Sequence, residues 1–242
     1  MKRTYVQKGV FYVQVIRDSI LLRDKLMKFK LHKIFEQYEE RPFKLLAYAE
    51  GETVLREGAE AEYLLYLVEG RVKATSSVET GKSLLLRFNH PLALIGDLEL
   101  VRQIPIQSQI TAVTECLFIA LPFDYIYKKE MGNNAFLQDL LKHLSYKLET
   151  ITTSSRVNLL ASVENRLASF LLSISTPGNE FGTELQTGNT REIANLLGTT
   201  HRHLNRVIHD LTERGIIEKT RQTIRILNYE KLKKLSQGLR YE

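Results

Sequence analysis

Five side chains able to grip or read a polyanion fall within six residues of this 242-residue chain: His201, Arg202, His203, Asn205 and Arg206. Groups of this kind donate hydrogen bonds to base edges and to phosphate oxygens. Arg206 can make a bidentate contact with guanine O6 and N7, and Asn205 either pairs with adenine or faces solvent. Thr190, Thr199 and Thr200 stand where helices should begin, so their hydroxyls and the free backbone N–H groups beside them suit phosphate oxygens. For Thr199 and Thr200 a plain N-cap is the competing role. Lys219, Arg221 and Arg225 add positive charge just beyond, as backbone contacts. The pattern predicts a protein that binds double-stranded DNA.

Those residues need an element to hold them, and Thr190–Val207, TREIANLLGTTHRHLNRV, supplies one. Counting Thr190 as the first position, the small Ala194 is fifth and Gly198 is ninth, with apolar Ile193, Leu197, Leu204 and Val207 between and after them. The alanine allows two helices to cross closely, and the glycine takes a backbone angle that a Cβ resists. This predicts a helix-turn-helix in which Ile193, Leu204 and Val207 are core. Arg214-Gly215 closes the second helix. GIIEKTRQTIRIL then reads as a β-hairpin wing, followed by a short helix at 229–239 with Leu232 and Leu235 inward.

Upstream, KLLAYAEGETVL, AEYLLYLVEGRVKATSS, GKSLLLRFNH and SQITAVTECLFIAL are short β-type runs punctuated by glycines, which predicts a small antiparallel barrel or jelly roll over residues 41–125. Residues 126–161 are expected to form one long helix. On it Leu137, Leu141, Leu144, Leu148 and Ile151 are spaced four, three, four and three apart, a heptad seam suited to pairing two copies of the chain. Packing of the same stripe on the barrel is the other use of such a seam. Ser162 reads as the N-cap of a helix at Val163–Ile174, the Ser/Thr/Gly/Asn-rich 175–189 as a loop, and residues 1–40 as a helical extension of unassigned role. The winged region spans 162–242.

Charge is uneven. The chain holds 34 Lys and Arg against 28 Asp and Glu; residues 190–242 carry 11 against 6, residues 1–40 carry 9 against 5, and residues 41–189 carry 14 against 17. A basic C-terminal region suits a polyanionic partner. The single cysteine, Cys116, excludes a disulfide framework and a four-cysteine metal or iron–sulfur site within one chain, which points to the cytoplasm. Its apolar neighbours make it a core thiol. No apolar run approaches a membrane span. No P-loop, HExxH or other catalytic constellation is seen, so neither an enzyme nor a cofactor or metal site is expected.

The order of barrel, long helix and winged helix-turn-helix resembles the Crp/Fnr family of bacterial transcription regulators. The resemblance covers about residues 40–235. It rests on VEGRVK at Val68–Lys73, GDLEL at Gly96–Leu100, SVENRLASFLLSI at Ser162–Ile174 and TREIANLLGTTHRHLNRVIHDLTERGII at Thr190–Ile217; the THRHL stretch is similar to its YeiL-like branch. It implies an α+β protein: an N-terminal double-stranded β-helix of the jelly-roll, cyclic-nucleotide-binding-like kind, a long dimerisation helix, and a C-terminal winged helix-turn-helix. It implies a homodimer on a palindromic site, with RNA polymerase as a further partner and a small-molecule effector near Asp97, Leu98, Gln107 and Ser108. Two departures matter. Gln107-Ser108 stands where cyclic-nucleotide-binding members carry an Arg followed by Ser or Thr, so the charge-assisted bond to a phosphate is missing and cyclic AMP is not the expected effector. Asp97 replaces the ribose-binding Glu and could accept a hydroxyl or cap a turn. The recognition segment aligns His201, Arg202 and Arg206 with the family's Arg, Glu and Arg, which changes the base-reading code. An alternative reading is a ligand-binding signalling module whose winged helix docks a protein.

Overall fold

The glycine-punctuated middle of the chain folds into strands, and the regions flanking it hold most of the helix. The computed structural model describes residues 2–8, 11–35, 37–77, 83–174, 184–186, 190–220 and 223–237. They fall into two compact units, one of residues 1–74 and 88–148, the other of residues 75–87 and 149–242.

The N-terminal segment corrects the expectation of a helical extension. It opens with β1 (Lys2–Lys8) and β2 (Phe11–Arg17), an antiparallel pair, and only then forms α1 (Ser19–Lys28) and two short 3-10 turns. The physical reason lies in FYVQVIR, where Phe11, Val13 and Val15 alternate with period two, the spacing of a strand and not of a helix. β2 continues the sheet by pairing with β3 (Lys44–Tyr48), Val15 opposite Leu46.

After β3 come β4 (Thr53–Leu55), β5 (Tyr63–Glu69), β6 (Val72–Ser77), β7 (Ser83–Asn89), β8 (Ala93–Ile95), α2 (Asp97–Arg102), β9 (Gln109–Ala112) and β10 (Cys116–Pro122). One sheet has the order β1-β2-β3-β10-β5-β8 and a second the order β4-β9-β6-β7, the two-sheet layout of a jelly roll. β5 and β10 read as near-continuous apolar runs because almost every residue in them is buried. Cys116 lies in this core, and burial raises its thiol pKa, so the reactive thiolate is disfavoured.

Beyond β10 the chain does not enter one helix at residue 126. A short α3 (Phe123–Tyr125) and a π-helical turn at Ile126–Glu130 intervene, and α4 runs over Asn134–Leu160. The break is anchored from inside. Glu130 is fully buried, with Arg41 Nε 2.8 Å from one carboxylate oxygen and Asn133 Nδ2 donating to the other at 2.9 Å. Asn133 Oδ1 accepts from the Ala135 and Phe136 N–H groups at the start of α4. Phe35, Tyr66 and Phe136 join the core here, and the Tyr66 hydroxyl donates to Asp139 Oδ2 at 3.3 Å. Burial drives the Tyr66 phenol pKa up, so it stays a donor.

α4 divides its heptad seam between two faces. Leu137 and Leu144 pack against the core of the first unit, whereas Leu141 and Leu148 are 62% and 68% exposed and Ile151 is 48% exposed. The stripe is therefore only partly spent on the chain's own core.

In the second unit, Ser162 Oγ accepts from Asn165 N at 3.2 Å and caps α5 (Val163–Ile174). The stretch 175–189, expected to be a loop throughout, contains β11 (Glu184–Gln186), which pairs with the wing; the other residues of that stretch lie outside the described ones. α6 (Thr190–Leu196), α7 (His201–Glu213), β12 (Ile217–Lys219), β13 (Thr223–Ile226) and α8 (Tyr229–Leu235) complete the unit, with a sheet ordered β11-β13-β12. The buried Ile193, Ala194, Leu197, Leu204, Ile208, Leu211, Ile217, Ile224 and Leu232 form its core. Val207, expected to be core, is half-buried because the apolar face of α7 is centred on Leu204, Ile208 and Leu211.

Candidate nucleic-acid interface

The turn between α6 and α7 is set by two backbone hydrogen bonds. Thr199 N donates to Ala194 O at 2.9 Å and Gly198 N to Asn195 O at 3.0 Å, the paired closure of a Schellman motif. Gly198 has φ +61°, the left-handed conformation that this closure requires. Ala194, 1% exposed, lets α6 lie close to α7.

α7 then presents its polar residues. Thr200 is its N-cap, its side chain accepting from His203 N at 3.2 Å. His201, Arg202, Asn205 and Arg206 are exposed, while Leu204, Ile208 and Leu211 on the opposite face are buried. Three predicted site residues form one chain of contacts: Thr190 Oγ1 lies 2.8 Å from His201 Nε2, and Asn205 Nδ2 lies 3.2 Å from the same nitrogen. The His201 imidazole thus lies between the start of α6 and the first turn of α7. The contact between Thr190 and His201 is hidden in a sequence where the two are eleven residues apart.

Arg206 and His203 line a cleft of about 560 Å³ with Arg166, Val207 and the first turn of α5. The two carboxylates there, Glu164 and Asp210, are both engaged by Arg214, at 2.9 Å for Asp210. Those hydrogen bonds, Asp210 first, raise the Arg214 pKa. Arg206 makes no ion pair with a described residue, which leaves its guanidinium available for an external acceptor. On the wing, Lys219 is half-buried and desolvation lowers its pKa, while Arg225 lies 3.6 Å from Glu218. Arg221 lies outside the described residues. Thr199 is half-buried in the turn.

Around the expected effector position, Asp97 is the first residue of α2 but caps nothing, because Gly96 is the N-cap. Its side chain is 1% exposed and ion-paired with Lys147 of α4, a partner fifty residues away that no local pattern could reveal. Leu98 is exposed. Gln107 Nε2 folds back onto Pro105 O at 2.7 Å, Gln107 N donates to Glu99 Oε1 at 3.0 Å, and Ser108 is half-buried. Removing Lys147 leaves the Asp97 carboxylate buried without its cation, a situation that is costly even when the intact pair contributes little. Lys147→Met is expected to lower stability by roughly 2–3 kcal/mol. Adding Asp97→Asn should recover most of that loss, as read by urea denaturation of the single and double variants.

Two family models match the sequence in this arrangement: a cyclic nucleotide-binding domain over residues 45–129 and a Crp-like helix-turn-helix domain over residues 165–235. The chain belongs to the Crp/Fnr family of transcriptional regulators. Among Crp/Fnr relatives it is 27% identical to the regulatory protein YeiL of Escherichia coli O157:H7, over 76% of this chain and 81% of that one. It is 25% identical to a CRP-like cAMP-activated global transcriptional regulator of Mycobacterium tuberculosis, over 75% and 83% respectively. In fold it matches a CRP/FNR-family transcriptional regulator from Thermus thermophilus with a TM-score of 0.69 at 24% identity, covering 81% of this chain and 99% of that structure. β1, β2 and α1 precede both matched regions and so lie outside the part of this Crp/Fnr chain that the family models describe. Among the described residues no helix is long and apolar enough to cross a membrane.

Proposed function

We propose that the protein is a homodimeric, sequence-specific DNA-binding regulator acting in the cytoplasm, without enzymatic activity. Two copies of α7 enter successive major grooves of a palindromic site, and RNA polymerase is a further partner. The observation that carries this reading is the division of α7. His201, Arg202, Asn205 and Arg206 are exposed on one side of a helix whose other side is fixed by Leu204, Ile208 and Leu211. A two-fold protein sets its half-sites about one helical turn apart, because its recognition helices are related by the same axis as the DNA. Thr190, Thr200 and Lys219 serve the phosphate backbone, and His201, Arg202 and Arg206 serve the bases. The five polar or basic groups within residues 201–206 favour DNA over a docked protein. A gel shift with DNA fragments tests this: binding that depends on sequence and weakens steeply with salt supports it, and equal binding to all fragments contradicts it.

Dimerisation is assigned to α4. Leu141, Leu148 and Ile151 are apolar, exposed and on a heptad repeat, an arrangement that a second copy of the same helix would cover. Leu148→Glu places a charge in that seam and is expected to yield monomers in analytical ultracentrifugation, with palindromic-site affinity falling at least about tenfold because avidity is lost. An unchanged sedimentation coefficient would remove α4 from the interface. The signal at the jelly roll is a molecule other than cyclic AMP, since Gln107 carries no charge for a cyclic phosphate and its amide is turned onto Pro105 O. A signal of this kind acts by binding one arrangement of the dimer more tightly than the other.

A further inference from the structure

Charged residues repeat at intervals of four along α7 and its C-cap: Arg206, Asp210 and Arg214. Residues four apart on a helix are neighbours on its surface, so Asp210 has one arginine a turn before it and another a turn after it. Only one of the two takes the carboxylate. Asp210 Oδ2 accepts from Arg214 Nη1 at 2.9 Å, and the same nitrogen donates to Glu164 Oε1 in the first turn of α5. Arg206 lines the same cleft as both carboxylates, yet it makes no ion pair with a described residue.

Electrostatics favours this division. An acid four residues ahead of a base is the better-placed pair on a helix, because the base then lies toward the negative end of the helix dipole. Asp210 and Arg214 stand in that order, whereas Arg206 ahead of Asp210 is the reverse. Arg214 is also the C-cap residue of α7, where a cation meets the open carbonyls of the last turn. Glu164 adds a second carboxylate, fifty residues away in the sequence, that only the tertiary fold brings to the same guanidinium. The side chains of Arg214, Glu164 and Asp210 are 42%, 30% and 57% exposed, so their pairing contributes little to folding. What the pairing changes is the surroundings of Arg206. Without Arg214, two carboxylates lacking their cation would share a cleft with the Arg206 guanidinium, one of them a single turn along the same helix. Arg206 would then have to leave a carboxylate before meeting a guanine edge.

We propose that Arg214 is a positioning residue for base reading: by occupying Asp210 and Glu164 it keeps Arg206 free for DNA. The proposal rests on the assignment of Arg206 to a base. Arg214 acts through another side chain and itself needs no contact with DNA.

The test is competition anisotropy of the full chain with two duplexes, the site selected from a random DNA pool and the same site altered at the guanine assigned to Arg206. Arg214→Ala is expected to lower discrimination between them about two- to fivefold, the range that exposed ion pairs allow, with a urea midpoint close to the parent's. Adding Asp210→Asn and Glu164→Gln removes the competing charges and should restore parental discrimination, a rescue foreign to a phosphate contact or a helix prop. Placed on Arg206→Ala, the Arg214→Ala change should have no further effect on discrimination. Parental discrimination in Arg214→Ala, beside its loss in Arg206→Ala, would overturn this proposal alone. Parental discrimination in Arg206→Ala, or a parent that selects no sequence, would overturn the base assignment as well. An equal loss of affinity for both duplexes that the carboxylate changes leave unrepaired would assign Arg214 to the phosphate backbone and overturn the proposal too.

Discussion

Arg206→Ala is expected to bind DNA without choosing among sequences at one base pair of each half-site. The Arg206 side chain is exposed on α7, and the nearby carboxylates Glu164 and Asp210 are occupied by Arg214. Its removal should cost about 1–3 kcal/mol against the preferred base, roughly a 5- to 150-fold loss, and leave the other three bases bound as before. The fold should be untouched, since the core side of α7 is made by Leu204, Ile208 and Leu211. Lys219→Ala provides the contrast. A wing lysine that contacts phosphate carries no base information, so its loss should weaken all sequences alike and flatten the salt dependence by roughly one counterion. Fluorescence anisotropy with a panel of single-base variants, repeated at several salt concentrations, separates the two behaviours. Arg206→Ala with full affinity and full discrimination would remove this residue from base reading.

The second large effect belongs to the scaffold. Gly70, in the turn from β5 to β6, has φ +83°, and a Cβ there would lie 2.1 Å from Glu115 O, 2.7 Å from Cys116 Sγ and 2.8 Å from Cys116 Cα. Two of those atoms are backbone at the start of β10, which is held on both sides by β3 and β5. Neither the turn nor the strand can give way cheaply. Gly70→Ala is expected to cost roughly 4 kcal/mol or more, combining left-handed strain with overpacking, enough to leave a domain of ordinary stability largely unfolded in mild denaturant. Gly58→Ala is the control: φ is +81°, but nothing lies within 4 Å of the added carbon, so only the conformational cost of about 1–2 kcal/mol remains. Equal urea midpoints for the two variants would show that the approach of β10 contributes nothing.

What could be read from the sequence was what is local. The helix-turn-helix is decided within eighteen residues by Ala194, Gly198 and the apolar positions around them, and the Ser162 cap by a bond reaching three residues. The glycine-spaced strands were visible for the same reason. The heptad on α4 was legible as a period, but not which leucines face the core; Leu137 and Leu144 differ from Leu141 and Leu148 only in what the fold places against them. Pairs made by tertiary structure were out of reach. Asp97 finds Lys147, Tyr66 finds Asp139 and Arg41 finds Glu130 across 50, 73 and 89 residues. β1 and β2 are hard to read from the sequence because the apolar residues further along, from Ile20 to Ile34, sit near helical spacing and mask the shorter alternation before them. Val207 lies shallower than its spacing predicts because a single residue of rotation separates the edge of an apolar helix face from its centre.

Selection of DNA from a random pool by the purified full-length protein addresses the central claim most directly, because α7 as a recognition helix and the two-fold axis of the dimer both write themselves into the selected sequence. The account predicts enrichment of an inverted repeat, with half-site centres about 10 base pairs apart and a guanine in each half-site whose preference disappears in Arg206→Ala. A pool that stays unenriched at low ionic strength, or yields one asymmetric motif without its inverted partner, would contradict it.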